Sequence, residues 1–182
     1  ESPDCSNPTS EGALASETMS GCEIVAKGGQ GGTAGSDFQL VECVNSIPES
    51  YNPYYNGWNR ENIGATSGVS IHHPAGDIKK ISTYTTTLLN DDWNGSGYDS
   101  HWNVVWAATT NGHGVTEGGS SGSPIFDSNG LIVGDLTGGG SYCSTPTTPD
   151  MYGKLSYSWE SNGTLPEEQL KPWLDPNNTG AL

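Results

Sequence analysis

The chain has 182 residues and a formal net charge of −15, with six Lys and Arg against 21 Asp and Glu. A surface this acidic repels nucleic acid and anionic lipid, so we expect neither as a partner. The same surface favours solubility and cationic partners. Only 32% of the residues are hydrophobic, and no apolar run approaches the length of a membrane span. The chain opens on Glu1 without a secretory signal, and we expect it to be a processed segment of a longer precursor.

Short apolar segments separated by Gly, Pro, Asn, Asp and Ser predict an all-β domain with many turns. Residues 1–36 are rich in Ser, Gly, Thr and Pro and are predicted to be mostly irregular. Asn129-Gly130 predicts a hairpin with a tight turn in which both central residues have positive φ. The strand candidates, in chain order, are 37–44, a stretch around Trp58, 68–72, 79–83, 102–107, 123–126, 131–136 and 151–157. Their spacing indicates a barrel or a sandwich.

One short helix is predicted near the C-terminus, in residues 165–174. Pro166 is tolerated in a first helical turn, and the two glutamates after it lie at the positive end of the helix dipole. Pro172 predicts that this helix is short or ends irregularly, because proline interrupts the hydrogen bonds of a helix interior.

The sequence GGSSGSPIF, residues 118–126, stands out within the strand region. Mixtures of Gly and Ser are typical of flexible linkers, but this one runs directly into an apolar strand. A serine that attacks an acyl carbon must project from a tight turn whose backbone N–H groups converge on the developing oxyanion, and glycines permit that geometry. We therefore predict that Ser121 is a nucleophile and that the N–H groups of Gly119 and Ser121 form an oxyanion hole.

This segment resembles the Gly-Asp-Ser-Gly-Gly-Pro motif of trypsin-like serine proteases and is more similar still to the bacterial lysyl endopeptidases. Four further motifs of that branch occur in order: Ile-His-His-Pro at 71–74, Asn-Val-x-Trp at 103–106, Gly-Val-Thr-Glu at 114–117 and Trp-Leu-Asp-Pro at 173–176. The resemblance covers most of residues 37–180. It implies a trypsin-like Greek-key β-barrel, namely the second barrel of a two-barrel protease plus the end of the first, with a short C-terminal helix. The implied boundaries are 1–45 for the end of the first barrel, 46–162 for the second barrel and 163–182 for the helix and tail.

The catalytic Asp of this family stands at the head of a strand that Ser36 to Val41 matches, so the resemblance implies that Asp37 orients the catalytic histidine. Without the resemblance, a solvated Asp at a strand start would be the favoured interpretation. Nothing in the chain matches the family's Thr-Ala-x-His-Cys, which carries the general base. We expect that histidine on an N-terminal segment or chain of the same precursor, because His72 and His73 match a different motif and His101 and His113 are expected in surface loops.

The resemblance also assigns a specificity pocket for basic side chains. Asp150 matches the family's Asp at the pocket floor, where a buried ammonium group needs a charged partner; an ordinary turn Asp is the alternative. The strand containing Thr137, Gly138 and Gly139 should line the substrate backbone. The family has His at the position of Thr137, next to the Trp that matches Trp106, so this difference leaves open whether Lys is preferred over Arg.

The four cysteines, Cys5, Cys22, Cys43 and Cys143, have long spacings without a metal-ligand pattern, which is typical of disulfides in a secreted protein. The resemblance implies that Cys5 and Cys143 are bridged to the missing N-terminal region. Cys22 and Cys43 are then left to pair with each other.

The resulting hypothesis is a secreted serine endopeptidase that cleaves polypeptides after basic residues, Lys preferred and Arg possible, without a metal or cofactor. Residues 90–99 have oxygen ligands at a calcium-like spacing but lack the terminal Glu of a helical calcium loop, and we interpret them as a surface loop. Two alternatives remain: an inactive protease homologue that acts by binding, and a carbohydrate-binding β-module, which would explain six Trp and eight Tyr.

Overall fold

The computed structural model describes residues 17–29, 34–95 and 99–182, and most of its regular structure is β-strand. The strands are β1 Cys22–Gly28, β2 Phe38–Cys43, β3 Gly68–His72, β4 Lys80–Tyr84, β5 Leu89–Asp91, β6 His101–Val104, β7 Ala108–Thr109, β8 Gly112–His113, β9 Pro124–Asp127, β10 Ile132–Gly139 and β11 Asp150–Lys154. The helices are α1 Leu155–Glu160 and α2 Lys171–Leu174, with 3-10 turns at Glu49–Tyr51, Pro74–Gly76 and Pro166–Glu168. The expected all-β class with a short C-terminal helix is confirmed.

Seven strands form one antiparallel sheet in the order β4-β3-β9-β10-β11-β6-β5. β9 and β10 form the predicted hairpin and lie at the centre of this sheet, so the segment before β9 is supported on both sides. The apolar side chains between the strands form the main core, which consists of Tyr84, Leu88, Trp102, Val104, Trp106, Ile125, Val133, Leu136 and Tyr152.

β1 and β2 form a separate antiparallel ladder that packs against the C-terminal helices. Its core consists of Ala26, Phe38, Leu155, Trp159 and Leu170. The end of the β1–β2 connection is fixed to α1 by polar contacts: the Ser36 Oγ lies 2.8 Å from the Ser158 Oγ, and Asn162 bonds both the Ser36 hydroxyl, at 2.7 Å, and the Ser36 N–H, at 2.9 Å. These contacts place Asp37, the next residue, beside the seven-stranded sheet.

Several sequence predictions need correction. β1 lies within residues 1–36, which we expected to be mostly irregular and in which we predicted no strand; only the end of this strand is buried, so its pattern of apolar residues is weak. The strand expected at 151–157 ends at Lys154, and the chain turns directly into α1. In the β9–β10 hairpin, Gly130 has φ +78 but Asn129 does not have a positive φ, so the turn is a longer type with one left-handed residue.

The expected helix at 165–174 divides into two pieces. A 3-10 turn spans Pro166–Glu168, and α2 begins at Lys171 with Pro172 in its first turn, where proline is tolerated. Trp58 forms a single parallel bridge to Ile132 and does not belong to a strand. Within the part of the chain that the structure describes, no helix combines the length and apolar character that a membrane crossing requires.

Candidate active site

The predicted nucleophile lies in a tight turn immediately before β9. Ser121 is exposed, whereas Ser120 beside it is 1% exposed. Gly119 has φ +100, a backbone conformation that L side chains rarely adopt, and Gly122 has φ +75. The glycines on either side therefore let the chain reverse sharply enough to bury one serine and expose the next.

The backbone N–H groups of this turn alternate between two roles. The N–H groups of Ser120, Gly122 and Ser123 donate to backbone oxygens at 2.8–3.0 Å. Those of Gly119 and Ser121 donate to no residue within 17–29, 34–95 or 99–182. The two predicted oxyanion-hole donors are therefore available to a ligand, and the groups between them hold the turn in place.

Ser121 and Leu136 line two cavities. One cavity, of about 280 Å³, is also lined by Trp93, Thr116, Glu117, Gly118, Gly138, Gly139, Ser141 and Tyr142. The other, of about 780 Å³, is mostly apolar and contains Asp37 and Asp135. The structure therefore brings Ser121 and Asp37 to one cleft and places a second, smaller cavity next to the same serine.

Asp135 is an acidic residue of this cleft that the sequence analysis did not identify. It lies opposite Gly153 in β11, and a side chain at Gly153 would overlap the carbonyl oxygen of Ser36. Burial, and secondarily the Asp37 carboxylate, raise the pKa of Asp135 well above its ordinary value. Two carboxyl groups, those of Asp37 and Asp135, therefore share the cleft beside Ser121.

Asp150 lies behind the 280 Å³ cavity and is completely buried. Its Oδ2 accepts hydrogen bonds from the Trp106 Nε1, at 2.6 Å, the Thr116 hydroxyl, at 2.7 Å, and the Ser141 hydroxyl, at 2.6 Å. Its Oδ1 accepts the Ser141 N–H at 3.0 Å. Buried carboxylates are stable only when they are solvated in this way by fixed donors.

Of the other residues expected to bind substrate, some line the 280 Å³ cavity and others do not. Gly138 and Gly139 line the cavity in front of Asp150, and a methyl group at Gly138 would lie 2.9 Å from the Trp93 ring. Trp106 is buried and reaches the cavity only through its bond to Asp150. Thr137 lines neither cavity at Ser121, and its hydroxyl shares a hydrogen bond with the His101 Nε2 at 3.0 Å. Trp93 is thus an aromatic wall that motif matching did not reveal.

All four histidines lie among the described residues, and none of them lines either cavity at Ser121. His101 is fully buried in β6, so its expected place in a surface loop is wrong; the hydroxyls of Ser100 and Thr137 satisfy its two ring nitrogens. Burial lowers the pKa of His101 to about 4, so the ring is neutral at pH 7. His113 lies half-buried in the small β7–β8 hairpin.

None of the expected disulfides is present among the residues that the structure describes. Cys22 and Cys43 lie directly opposite each other in the β1–β2 ladder, but both thiols are free in the structure. Cys143 is also free and exposed. Cys5 lies outside the described residues.

Side-chain oxygens of Asn90, Asp91 and Asp92, at the start of the acidic segment, accept hydrogen bonds from other groups of the protein. The Asn90 Oδ1 accepts a bond from the Lys154 ammonium, the Asp91 Oδ2 accepts one from the Asn103 amide, and the Asp92 Oδ1 accepts the Gly95 N–H. Within the described parts of the chain, no group of three or more His, Cys, Asp or Glu side chains could hold a metal ion.

Three comparisons with known proteins were informative to different degrees, and the family model and the curated relative agree with the motifs. A solved structure, the Rv3671c protein of Mycobacterium tuberculosis H37Rv in an inactive mutant form, is similar with a TM-score of 0.45 and 14% identity over 73% of this chain and 58% of that one. The lysyl endopeptidase of Pseudomonas aeruginosa is 38% identical over 120 residues, which are 62% of this chain. This chain spans only 23% of the length of that protein. A family model described as the C-terminal domain of lysyl endopeptidase matches residues 1–153. The chain therefore belongs to the lysyl endopeptidase C-terminal domain family.

Proposed function

We propose that this chain carries the nucleophile, the triad carboxylate and the specificity pocket of a secreted serine endopeptidase that cleaves after basic residues. The observation that carries the proposal is the position of Ser121, which lies between the cleft containing Asp37 and the cavity backed by Asp150. A substrate carbonyl above Ser121 can then meet a base on one side while its basic side chain enters the cavity on the other.

In the proposed reaction, a histidine outside this chain removes the proton from the Ser121 hydroxyl as its oxygen attacks the scissile carbonyl. Asp37 orients that histidine, and the N–H groups of Gly119 and Ser121 stabilise the oxyanion. The histidine then protonates the leaving amine, and water releases the acyl group by the reverse sequence of proton transfers.

The base is proposed to come from an N-terminal segment because every histidine of this chain is already engaged elsewhere. His72 and His101 bond to buried hydroxyl groups, and His73 and His113 bond to backbone carbonyl oxygens. The mostly apolar cleft beside Asp37 offers that segment a surface to cover. The further proposal is that Cys5 and Cys143 bridge to the same segment, as expected of a secreted protein with disulfides.

Asp150 is proposed to select the substrate's basic side chain. An ammonium group in the cavity meets the hydroxyls of Thr116 and Ser141, which connect it to the buried carboxylate. A charged partner at this depth stabilises a cation far more than it would at the surface.

The proposal is tested with the intact protein that contains this chain. A fluorophosphonate should label Ser121, and Ser121→Ala should lower turnover by about 10⁶-fold, as for the loss of a triad nucleophile. Labelling at Ser120 or Ser123 would show that the nucleophile is misassigned. An unlabelled protein would favour the alternative of an inactive homologue.

The same assays test the specificity pocket. Asp150→Asn should lower kcat/KM for a lysine ester by about 10³-fold or more, because it removes the buried charge, while a small neutral ester serves as the internal control for correct folding. Equal losses on both esters would indicate that Asp150 has a structural role only. The mass of the protein before and after reduction tests the tethered segment, which should be released only by reduction.

A further inference from the structure

A histidine-centred chain of hydrogen bonds lies directly beneath the nucleophile turn. His72 ends β3 and is 3% exposed. Its Nδ1 lies 2.9 Å from the Ser120 Oγ, and its Nε2 lies 2.9 Å from the Ser82 Oγ. Both serines are 1% exposed, and Ser120 immediately precedes Ser121.

The neighbours of His72 fix the positions of its protons. The Ser82 hydroxyl donates to the Val115 carbonyl oxygen at 3.1 Å, so it accepts a bond from His72, and Nε2 carries the hydrogen. Nδ1 is then an acceptor for the Ser120 hydroxyl, whose oxygen in turn receives the Glu117 N–H at 3.3 Å. Every donor in this chain of bonds has an acceptor only when the imidazole is neutral. Burial favours the same state because it lowers the pKa of His72; the Asp150 charge raises this pKa in part, and His73 lowers it further.

Ser120 is the buried anchor of the turn. Its N–H donates to the Glu117 carbonyl oxygen at 2.9 Å, and its own carbonyl oxygen accepts the Ser123 N–H at 3.0 Å. Ala75 lies in the 3-10 turn that follows β3, and its N–H donates to the Gly118 carbonyl oxygen at 2.8 Å. The turn is therefore attached to the end of β3 at two points, one on each side of the N–H of Gly119.

We propose that His72 is a positioning residue for the nucleophile turn. By fixing the Ser120 side chain, the neutral Nε2–H imidazole keeps the N–H groups of Gly119 and Ser121 aimed at the carbonyl oxygen of an acyl substrate. This role rests on the proposed function of Ser121. It concerns the oxyanion hole only, since His72 lies beneath the turn and lines neither cavity at Ser121.

The test compares variants of the intact protein on a small neutral ester. His72→Leu and Ser120→Ala each break the bond between the two side chains, and each should lower kcat by about 10²-fold, comparable to the loss of an oxyanion donor, with little change in KM. His72→Asn keeps an acceptor for the Ser120 hydroxyl and should recover about tenfold of that loss. His73→Gln is the matched control, since His73 is exposed and its Nδ1 bonds to the Asp77 carbonyl oxygen, and it should behave as the parent protein does.

Nitrogen-15 NMR gives a readout that does not depend on activity. His72 should show a neutral Nε2–H imidazole at pH 7, and Ser120→Ala should shift the amide signals of Gly119 and Ser121, whereas His73→Gln should not. An Nδ1–H tautomer, unchanged amide signals in Ser120→Ala, or a rise in KM without loss of kcat would overturn the positioning role. Failure of the proposed function would look different. In that case the parent protein would show the expected His72 tautomer, but the fluorophosphonate would not label Ser121.

Discussion

Asp135 shows how one residue can change the pH dependence of stability. Because its pKa is raised on folding, Asp135 remains protonated in the native state at pH values where the unfolded chain has released that proton. Its contribution to the free energy of unfolding is therefore fully present below pH 3.8 and is lost as the pH rises toward the folded-state pKa. Between these limits the loss is about 1.4 kcal/mol for each pH unit.

We therefore predict that Asp135→Asn increases the free energy of unfolding at pH 7 relative to the parent and that this gain disappears below about pH 4. Urea unfolding of both proteins at a series of pH values measures the difference. Exposed Glu167→Gln is the control for removing one negative charge at the surface. A gain that is independent of pH would contradict the assignment, since it would reflect packing and not ionisation.

Single residues were predictable where a motif specifies backbone geometry. The glycines around Ser121 permit the tight turn that the structure contains, and Asp37, which the motif match placed at the start of a strand, lies in the same cleft. Asp135 and His72 could not be predicted in this way. Their environments depend on which strands lie beside β10 and β3, and the sequence contains no local signal for that pairing.

At the scale of elements, β3 was predicted with its exact bounds because the β-branched residues Val69 and Ile71 alternate with polar residues in a short segment that ends shortly before Pro74. The boundary between β11 and α1 was missed because residues 155–160 contain Leu, Tyr and Trp, which occur readily in either structure when they are buried. Tertiary packing against Phe38 and Leu170 decides in favour of a helix there.

The β1–β2 ladder has geometry suitable for a disulfide. The Val44 N–H donates to the Gly21 carbonyl oxygen at 3.2 Å, so Gly21 and Val44 form a hydrogen-bonded pair one step beyond Cys22 and Cys43. Because the two kinds of pair alternate, Cys22 and Cys43 form a non-hydrogen-bonded pair, with Cα atoms about 4.5 Å apart. That separation falls within the range of natural disulfides, about 4.4–6.8 Å.

We predict that Cys22 and Cys43 form a disulfide under oxidising conditions and that the bond raises the free energy of unfolding by about 3 kcal/mol, as expected for a closed loop of about 20 residues. Peptide mapping after alkylation without reduction identifies the bond, and urea unfolding of oxidised and reduced protein measures its effect. Cys143→Ser should leave the difference in free energy of unfolding between oxidised and reduced protein unchanged. Complete alkylation of Cys22 and Cys43 in air-oxidised protein would contradict the prediction.

At the scale of the whole chain, we expect the net charge of −15 to act on the proposed substrates before they reach the proposed site. A strongly negative surface attracts cationic polypeptides over distances comparable to the Debye length, which falls from about 30 Å at 0.01 M salt to about 3 Å at 1 M. Surface attraction is therefore screened by salt, whereas an ion pair inside a buried pocket is screened much less.

Two peptides separate these contributions, one with a single lysine at the cleaved bond and one with three further lysines remote from it. We predict that salt over this range lowers kcat/KM for the more cationic peptide by about tenfold more than for the other, because only the remote charges depend on the surface field. A peptide with three remote glutamates in place of those lysines is the control and should react faster as salt increases. Parallel salt dependences for all three peptides would mean that the acidic surface serves solubility alone and that basic residues are recognised only within the pocket.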